Sequence, residues 1–402
     1  MNKIAIIGGG AAGLAAACML SQRGLLPVVF EKQNRVGRKL LSTGNGRCNL
    51  SNTNLTPQCY GSAAEFVAPS LKRFGVKQAL TFFETLGVKC ITDNAGRVYP
   101  ASGQAAGVLD ALRLYASEKG VRFETESCVS EIKRRKDGFE LCFADGKSVR
   151  TECVLICCGG MAAPKLGGCS DGVRLLEKLG HPIVPSVPAL APLKADAALL
   201  RPLKGIRARA KLSLYREGRC LRSEQGEVLF GDGNVSGICA MQLAELANRH
   251  KSCKLVLNFC PDSDKNPMDA LCAALPQRSL EDLLSGIVPK RLGQTLIKAA
   301  GVSPLSLCAY ELTPQQKQAI WRTLSGWTLD CPGSQGFDAA QLSAGGADLK
   351  FFSAETLQSK KCPGLYAAGE VLNVCGDCGG FNLHWAWASA YSAAASIAAI
   401  AY

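Results

Sequence analysis

The sequence predicts an α/β protein whose two chain ends build one sheet around a separate inserted region. Three observations carry this. A strand–glycine–helix–strand unit occupies the first thirty residues. Two further apolar runs that end in Gly-Gly or Gly-Glu follow, one near residue 155 and one near residue 367. Between them, from about residue 190, the pattern changes to alternating strands and short capped helices.

The first unit is KIAIIGGGAAGLAAACMLSQRG. Ile4 to Ile7 is a β-branched apolar run, which favours a buried strand. Gly8-x-Gly10-x-x-Gly13 follows, then an alanine-rich helix ending near Gly24, then PVVFEK as a second strand ending in Glu31. Gly8 permits the tight turn, Gly10 lets the backbone approach a pyrophosphate, and Gly13 lets helix and strand lie close. Ala11 and Ala12 open the helix, whose N-terminal N–H groups and dipole favour an anion. Glu31 accepts from ribose hydroxyls and repels a 2′-phosphate, so the dinucleotide expected here is FAD or NAD rather than NADP.

Three segments favour FAD. VGRKLLSTGNGRCNLSN (36–52) is dense in glycine and amides and carries Arg38, Lys39 and Arg47, a composition suited to phosphates and a polar ring edge. TECVLICCGG is a buried strand ending in Gly159 and Gly160. GLYAAGEV is a short strand ending in Gly369-Glu370. The expected architecture is a Rossmann-like FAD-binding domain with an inserted β-barrel-like domain and a helical subdomain. The expected bounds are 1–190 with 340–402 for the first, 191–235 with 308–339 for the second, and 236–307 for the third.

In the middle region Pro182, Pro185, Pro188 and Pro192 read as a linker. ICAMQLAELANR reads as one helix and KLVLNF as a strand. SLEDLLSGIVPKRLGQTLIKAAG reads as a helix in two pieces broken at Pro289. In TPQQKQAIWRTLSG, Thr313 is the N-cap, Pro314 the first-turn residue and Gln316 the partner in a capping box. WTLDC and FDAAQLSAGG read as strands. The substrate pocket is expected between this insert and the flavin.

Composition sets the class. The chain has 402 residues, 47% hydrophobic and 20% charged, which fits two or three globular domains. Its twenty cysteines show no regular spacing and often lie in apolar runs. They read as reduced, buried small hydrophobes, which places the protein in the cytoplasm. The N-terminal run resembles a signal peptide only superficially, since its glycine spacing explains it. WAWASAYSAAASIAAIAY is built from small residues and reads as a helix packed on a sheet, not a membrane span.

The net charge is +13, and Arg201–Arg222 holds eight Lys/Arg against one Glu. Within it GIRARAKLSLY alternates with period two, placing Arg207, Arg209 and Lys211 on one face. That face is a solvated one, or meets an anionic substrate or nucleic acid. A small-molecule substrate is the expected partner; nucleic acid and membrane are not, and nothing indicates an oligomeric state.

These motifs resemble the two-dinucleotide-binding-domain class of FAD-dependent oxidoreductases. More closely, the chain is similar to a bacterial family of NAD(P)/FAD-dependent, aminoacetone-oxidase-like flavoproteins that also holds a bile-acid-inducible member. The resemblance rests on GGGAAGLAAA, GRKLLSTGNGRCNLSN, GRVYPASGQAAGVLDAL, CCGGMAAPKLGGCSDG, LGHPIVPSVPALAPL, SAGG and PGLYAAGEVLNVCGDCGGFNLHWAWASA. It implies that Gly8, Gly10, Ala11, Ala12 and Gly13 cradle the pyrophosphate, and that Glu31 and Lys32 hold the adenosine ribose. It implies that Arg38, Lys39, Gly44, Asn45, Gly46, Arg47, Cys48 and Asn49 line the flavin and its phosphates, with Cys48 structural. Val129, in SCVSEI, would meet adenine through its backbone. Gly159 and Gly160 close the second glycine turn, and Gly369 and Glu370 would meet the ribityl–phosphate part. Gly380, Asn382 and Leu383 would present backbone to the pyrimidine edge, with a helix starting near His384 aimed at flavin N1 and O2.

The sequence departs from the family pattern in three places. LFGDGNVSG carries Gly231 and Asp232 on the loop that faces substrate, which makes Asp232 a candidate for the chemistry. His384 stands where Gln is more frequent. Cys375 stands where Asp is frequent. Cys375 and Cys378 form a C-x-x-C that is a redox pair, half a metal site, or a turn whose glycines matter. No second C-x-x-C exists and His181 and His250 are remote, so no metal is expected. His384 is a proton donor or a packed orienting group; Trp385 and Trp387 read as helix packing. No second GxGxxG marks a nicotinamide domain, although NAD(P)H remains the natural transient donor. The activity implied is hydride transfer between NAD(P)H or a small organic substrate and the flavin, foremost as a reductase of an activated C=C bond. The alternatives are an oxygen-using amine oxidase, an FAD-dependent RNA-modifying protein and a flavin sensor without turnover.

Overall fold

The computed structural model describes residues 2–263 and 265–401; Tyr402, the last residue of the apolar C-terminal run, lies outside them. The chain forms two compact units, Met1–Ser186 with Leu342–Tyr402, and Val187–Gln341.

In the first unit the β-branched runs become the centre of a seven-stranded sheet. Arg122–Glu124, Val28–Phe30, Asn2–Ile7 and Ser148–Ile156 lie side by side and parallel. The last of these is shared. Its first half pairs antiparallel with Gly138–Phe143, and its second half pairs parallel with Leu365–Ala367, in the register Val154↔Leu365 to Ile156↔Ala367. The C-terminal segment is thereby stitched into the sheet that the N-terminus begins. Val129–Arg135 closes the antiparallel edge.

Two helices with small side chains make this possible. Ala11–Ser21 is buried on all sides from Ala12 onward and packs along Phe381–Ala401. Ala386, Ala388, Ala390, Ala393 and Ala394 are buried on the second helix, so the two backbones approach closely. No described helix is long and apolar enough to cross a membrane. The large aromatics sit at the helix start, where Trp385 and Trp387 are almost fully buried. Each has about 150–250 Å² to bury, roughly 4–6 kcal/mol of transfer free energy at ~25 cal/mol per Å². Each also finds a carbonyl for its indole N–H, Trp385 at Gly369 O (3.2 Å) and Trp387 at Leu50 O (2.9 Å).

The proline-rich 182–192 stretch does not run as an irregular linker. Ile183–Ala189 is a strand that pairs with Leu342–Ala347 in a two-stranded ribbon. Such an edge position tolerates proline. The returning strand is also shorter than FDAAQLSAGG implies. Turn bonds Ala339 N–H to Gly336 O and Ala340 N–H to Phe337 O hold its first residues, and the strand begins at Leu342.

The second unit is a six-stranded antiparallel sheet. Its order is Leu193–Lys194, Asn234–Ser236, Arg219–Phe230, Arg207–Arg216, Cys253–Asn258, Trp327–Cys331. Its first strand meets the segment that follows its last: Leu193 bridges Ser334, and Lys194 N–H donates to Gly333 O at 2.9 Å. The sheet is nearly a closed barrel. Alternation in Arg207–Arg216 sends Ala208, Ala210, Leu212 and Leu214 inward and leaves Arg207, Arg209 and Lys211 exposed. Short helices surround the sheet. Pro314–Gly326 has the expected capping box of Thr313 and Gln316. The predicted helix over ICAMQLAELANR splits into Ile238–Met241 and Ala244–Arg249, because Leu243 N–H bonds back only three residues, to Ala240 O.

Candidate functional site

The glycine turn between the first strand and first helix is built as its spacing requires. Gly8 has φ +101°, and a Cβ there would lie 2.6 Å from Cys157 O. A Cβ on Gly13 would lie 1.9 Å from Gly8 O. Gly9, which sequence reasoning passed over, is equally confined: its Cβ would meet Val36 Cγ1 at 2.5 Å. Gly10 is the opposite, with nothing within 4 Å of a Cβ. It is the N-cap of the helix, and no side chain caps that end. The amides of Ala11 and Ala12 therefore sit at an uncapped N-terminus beside open space, as an anion requires.

Glu31 braces this turn. One carboxylate oxygen accepts from Gly9 N–H (2.9 Å) and the other from Gln33 N–H (2.8 Å). The strand carrying Val129 is delivered to the same place, since Ser127 N–H donates to Glu31 O at 2.9 Å and Glu126 N–H to Gln33 O at 3.0 Å. Val129 is buried. Lys32 does not stand free for a ribose: its ammonium lies 2.8 Å from Asp171. Partial burial opposes the charge on Asp171, yet hydrogen bonds from Lys32 and Arg174 hold its carboxyl down at about 2.

The 36–52 loop is fixed at both ends. Gly37 N–H donates to Gly9 O at 2.8 Å. Arg38 donates to Gln33 Oε1 and to Lys165 O. Lys39 lies 2.8 Å from Glu370 Oε2, and the second oxygen of Glu370 accepts from Ser343 N–H at 2.8 Å. Glu370 also faces Gly160, where a Cβ would fall 2.7 Å from Oε1; Gly159 is open, with φ +71°. Ser343 completes the link by accepting from Ala162 N–H at 2.9 Å. Two of the three cations expected to meet phosphates, Arg38 and Lys39, are thus held by oxygens of the chain itself. Gly44, Asn45, Gly46 and Cys48 all have positive φ, between 55° and 83°. Cys48 is buried, and that burial pushes its thiol up to about 12, consistent with packing alone.

The C-terminal segment closes over this loop. Gly369 sits beside the first helix, where its Cβ would be 3.0 Å from Ala12 Cβ, and Ser389 Oγ accepts from its N–H at 2.9 Å. Asn52 Nδ2 donates to Gly379 O (2.9 Å), and Tyr60 donates its phenol proton to Phe381 O (2.7 Å). Gly380 has φ +104°, and a Cβ would strike Ser51 O at 2.3 Å and Asn49 Oδ1 at 2.7 Å. Asn49 Oδ1 is buried and has no hydrogen-bond partner. Asn382 holds the preceding turn by accepting from Gly376 N–H (2.7 Å) and donating to Gly376 O (2.8 Å). Leu383 is half-buried against the core.

The candidates for chemistry sit in surroundings that the sequence did not show. His384 is fully buried. Nε2 lies 2.9 Å from Phe74 O, which only accepts, so Nε2 carries the proton and Nδ1 accepts from Ser51 Oγ at 2.8 Å. Burial pushes its pKa down to about 4. Both nitrogens are thus used, and His384 ties Ser51 and Phe74 O to the start of the last helix. For Cys378, burial pushes the thiol up, the reverse of what a redox nucleophile needs. Cys375 Sγ lies 3.9 Å from Gly376 O, a weak contact. Asp232 belongs to the second unit, on the turn after Arg219–Phe230, where it lies 3.7 Å from Arg201 at the surface.

An open Gly10 beside an uncapped helix and an orphaned buried carbonyl oxygen beside Gly380 fit a dinucleotide whose far end is a polar ring. Gly8, Gly10, Ala11, Ala12, Gly13 and Glu31 would hold its adenosine–pyrophosphate half; Asn49, Gly380, Asn382 and Leu383 would hold the ring. Ser343, Ser389 and Tyr60 were not legible as site residues, because their partners lie more than a hundred residues away or on facing backbone.

Comparison with known proteins agrees. Residues 2–396 match the family described as HI0933-like protein Rossmann domain. A 3-dehydro-bile acid delta(4,6)-reductase of Clostridium scindens is 34% identical over 98% of each chain. A ribosomal RNA dihydrouridine synthase of Escherichia coli is 29% identical over 98% of this chain and 97% of its own. Among solved structures, the 3-ketosteroid delta1-dehydrogenase of Sterolibacterium denitrificans covers 100% of both chains with TM-score 0.54 and 13% identity. The 3-ketosteroid-delta4-(5alpha)-dehydrogenase of Rhodococcus jostii covers 98% and 96% with TM-score 0.51 and 16% identity. At that identity the two structures speak to the fold.

Proposed function

The chain belongs to the HI0933-like Rossmann family and is a flavin oxidoreductase, and from that premise we propose that it reduces a carbon–carbon double bond conjugated to a carbonyl, with NAD(P)H as the electron source. The observation that carries the flavin half is the meeting of the two glycine segments, with Gly10 open and Asn49 Oδ1 orphaned. The observation that carries the double bond is that the names of both curated relatives denote C=C reduction, one in a bile acid and one in the uracil ring. FAD, when bound, supplies the hydride chemistry.

The chain's own residues bind and orient. Uncapped amides at Ala11 and Ala12 favour the pyrophosphate charge. The N-terminus of Phe381–Ala401, held by bonds from Asn52, Tyr60 and Ser51, would offer its positive dipole end to the polar edge of the ring. Glu370 and Lys39 neutralise each other and hold the loop to the sheet.

The test is an anaerobic titration of the purified holoprotein with NADH and, separately, NADPH, followed by a conjugated enone. Bleaching by one nucleotide and re-oxidation by the enone are expected. Flavin that dithionite reduces but neither nucleotide does would refute the reductase and direct attention to amine donors and oxygen.

A second reading, reduction of uracil within RNA, has one specific observation behind it. Arg209 and Lys211 are exposed with no ion pair among the described residues, about 7 Å apart along one strand face. If RNA docks there, its affinity falls with salt, and Arg209→Gln with Lys211→Gln lowers the log–log slope by about 1.4 for a single strand. An unchanged slope removes this reading.

A further inference from the structure

Arg47 is unlike the other cations of the flavin loop. Lys39 is paired with Glu370, and Arg38 is held by the oxygens of Gln33 and Lys165. Arg47 is exposed and has no carboxylate partner among the described residues. Its guanidinium carbon lies 4.5 Å from the centre of the Tyr99 ring, and Nη2 is 3.5 Å from the Tyr99 hydroxyl. Tyr99 itself is buried, so the platform is rigid. The backbone beneath is fixed too. Arg47 N–H donates to Gly44 O (3.2 Å), Cys48 N–H to Thr43 O (2.9 Å), and Ala105 N–H to Gly46 O (2.8 Å). The left-handed residues Gly46 (φ 83°) and Cys48 (φ 60°) stand on either side.

A stacked guanidinium keeps its fork of N–H donors in a set plane, which suits two-point binding of a carboxylate or phosphate and lowers the entropy lost on binding. Four of its five donors have no acceptor among the described residues. Two residues on, the orphaned Asn49 Oδ1 marks the ring-facing part of the same loop. We propose that Arg47 is a binding site for the anionic group of the substrate, a carboxylate or a phosphate, and not for the cofactor's own phosphates. This rests on the flavin-reductase reading and narrows its substrates to acids.

The probes are two pairs that differ only in the anion: a conjugated 3-oxo bile acid with its methyl ester, and uridine 5′-monophosphate with uridine. Each is titrated into oxidised holoprotein while flavin absorbance is followed, so no turnover is needed and failure of the reductase reading leaves the result interpretable. Wild type is expected to prefer the charged member of one pair, and which pair identifies the source of the anion. In Arg47→Gln that preference falls by about 10-fold or more, the loss typical of a charge-assisted bond. Arg47→Lys recovers part of it, since the charge returns without the fork. The FAD dissociation constant, read by fluorescence quenching, stays within about twofold, since the proposal separates Arg47 from the cofactor. Three results overturn the proposal: no preference for either anion in wild type, an unchanged preference in Arg47→Gln, or a loss of FAD affinity of the same size, which would assign Arg47 to the cofactor's phosphates.

Discussion

Alanine at Gly10 and alanine at Gly13 should have opposite consequences, although the two glycines lie three residues apart in one motif. At Gly13 alanine would ordinarily strengthen the helix by ~1 kcal/mol. Here its Cβ would sit 1.9 Å from Gly8 O, inside the bonded turn, and 3.4 Å from Cys157 Cβ. The helix must shift off the strand or the turn must open, an overpacking cost of about 3 kcal/mol. For the first unit that corresponds to a fall of roughly 6–12 °C in melting temperature. At Gly10 a Cβ meets nothing, and φ is −81°, a value any residue adopts. Losing a glycine N-cap costs ~0.5–1 kcal/mol, and the stiffer unfolded chain returns a similar amount, so stability barely moves. The new methyl instead occupies the space assigned to the pyrophosphate, and FAD affinity should fall at least about tenfold, or ~1.4 kcal/mol. The assays are thermal unfolding of the deflavinated proteins and FAD titration of each. A Gly10→Ala protein that loses stability yet binds FAD as wild type does would refute the cradle, and a fully stable Gly13→Ala protein would refute the contact.

Other outcomes follow from the same geometry. His384 has a folded pKa near 4 against an ordinary value of 6.5, so the unfolded chain binds the extra proton first. Stability should therefore be full above pH ~6.5 and decline as pH falls toward 4, by up to about 3 kcal/mol, and His384→Gln should flatten that decline in denaturant titrations. Glu370→Gln leaves Lys39 without its carboxylate; because both side chains keep some exposure, a cost of about 1–2 kcal/mol is expected, visible as weaker FAD binding. Anaerobic reduction should consume two electrons per flavin in wild type and equally in Cys375→Ser and Cys378→Ser. A wild-type uptake of four electrons that drops to two in either variant would restore the redox pair.

Residues within about thirty positions of one another were readable directly. Gly8, Gly10, Gly13 and Glu31 form one local βαβ unit whose geometry depends on spacing alone, and the structure places Glu31 on the glycine turn. The capping box at Thr313 and the alternation of Arg207–Arg216 were legible for the same reason. The proline run misled, because a proline-bearing edge strand and a loop share a composition and only the partner strand Leu342–Ala347 distinguishes them.

What the sequence by itself determined is the class of site: a nucleotide cradle at a strand–helix junction, written in glycines of which Gly8 and Gly13 leave no room for a side chain. What only the tertiary structure decided is which polar groups remain available there. Lys39 meets Glu370 across 331 positions, and Ser51 meets His384 across 333. Those pairings arise because Leu365–Ala367 joins the sheet beside Ser148–Ile156 and carries the last helix back onto the first. Spacing cannot encode such contacts. A charged side chain is spent or left free according to what the returning chain brings within 3 Å of it, and here that leaves the Arg47 guanidinium exposed and Asn49 Oδ1 buried without a partner among the described residues.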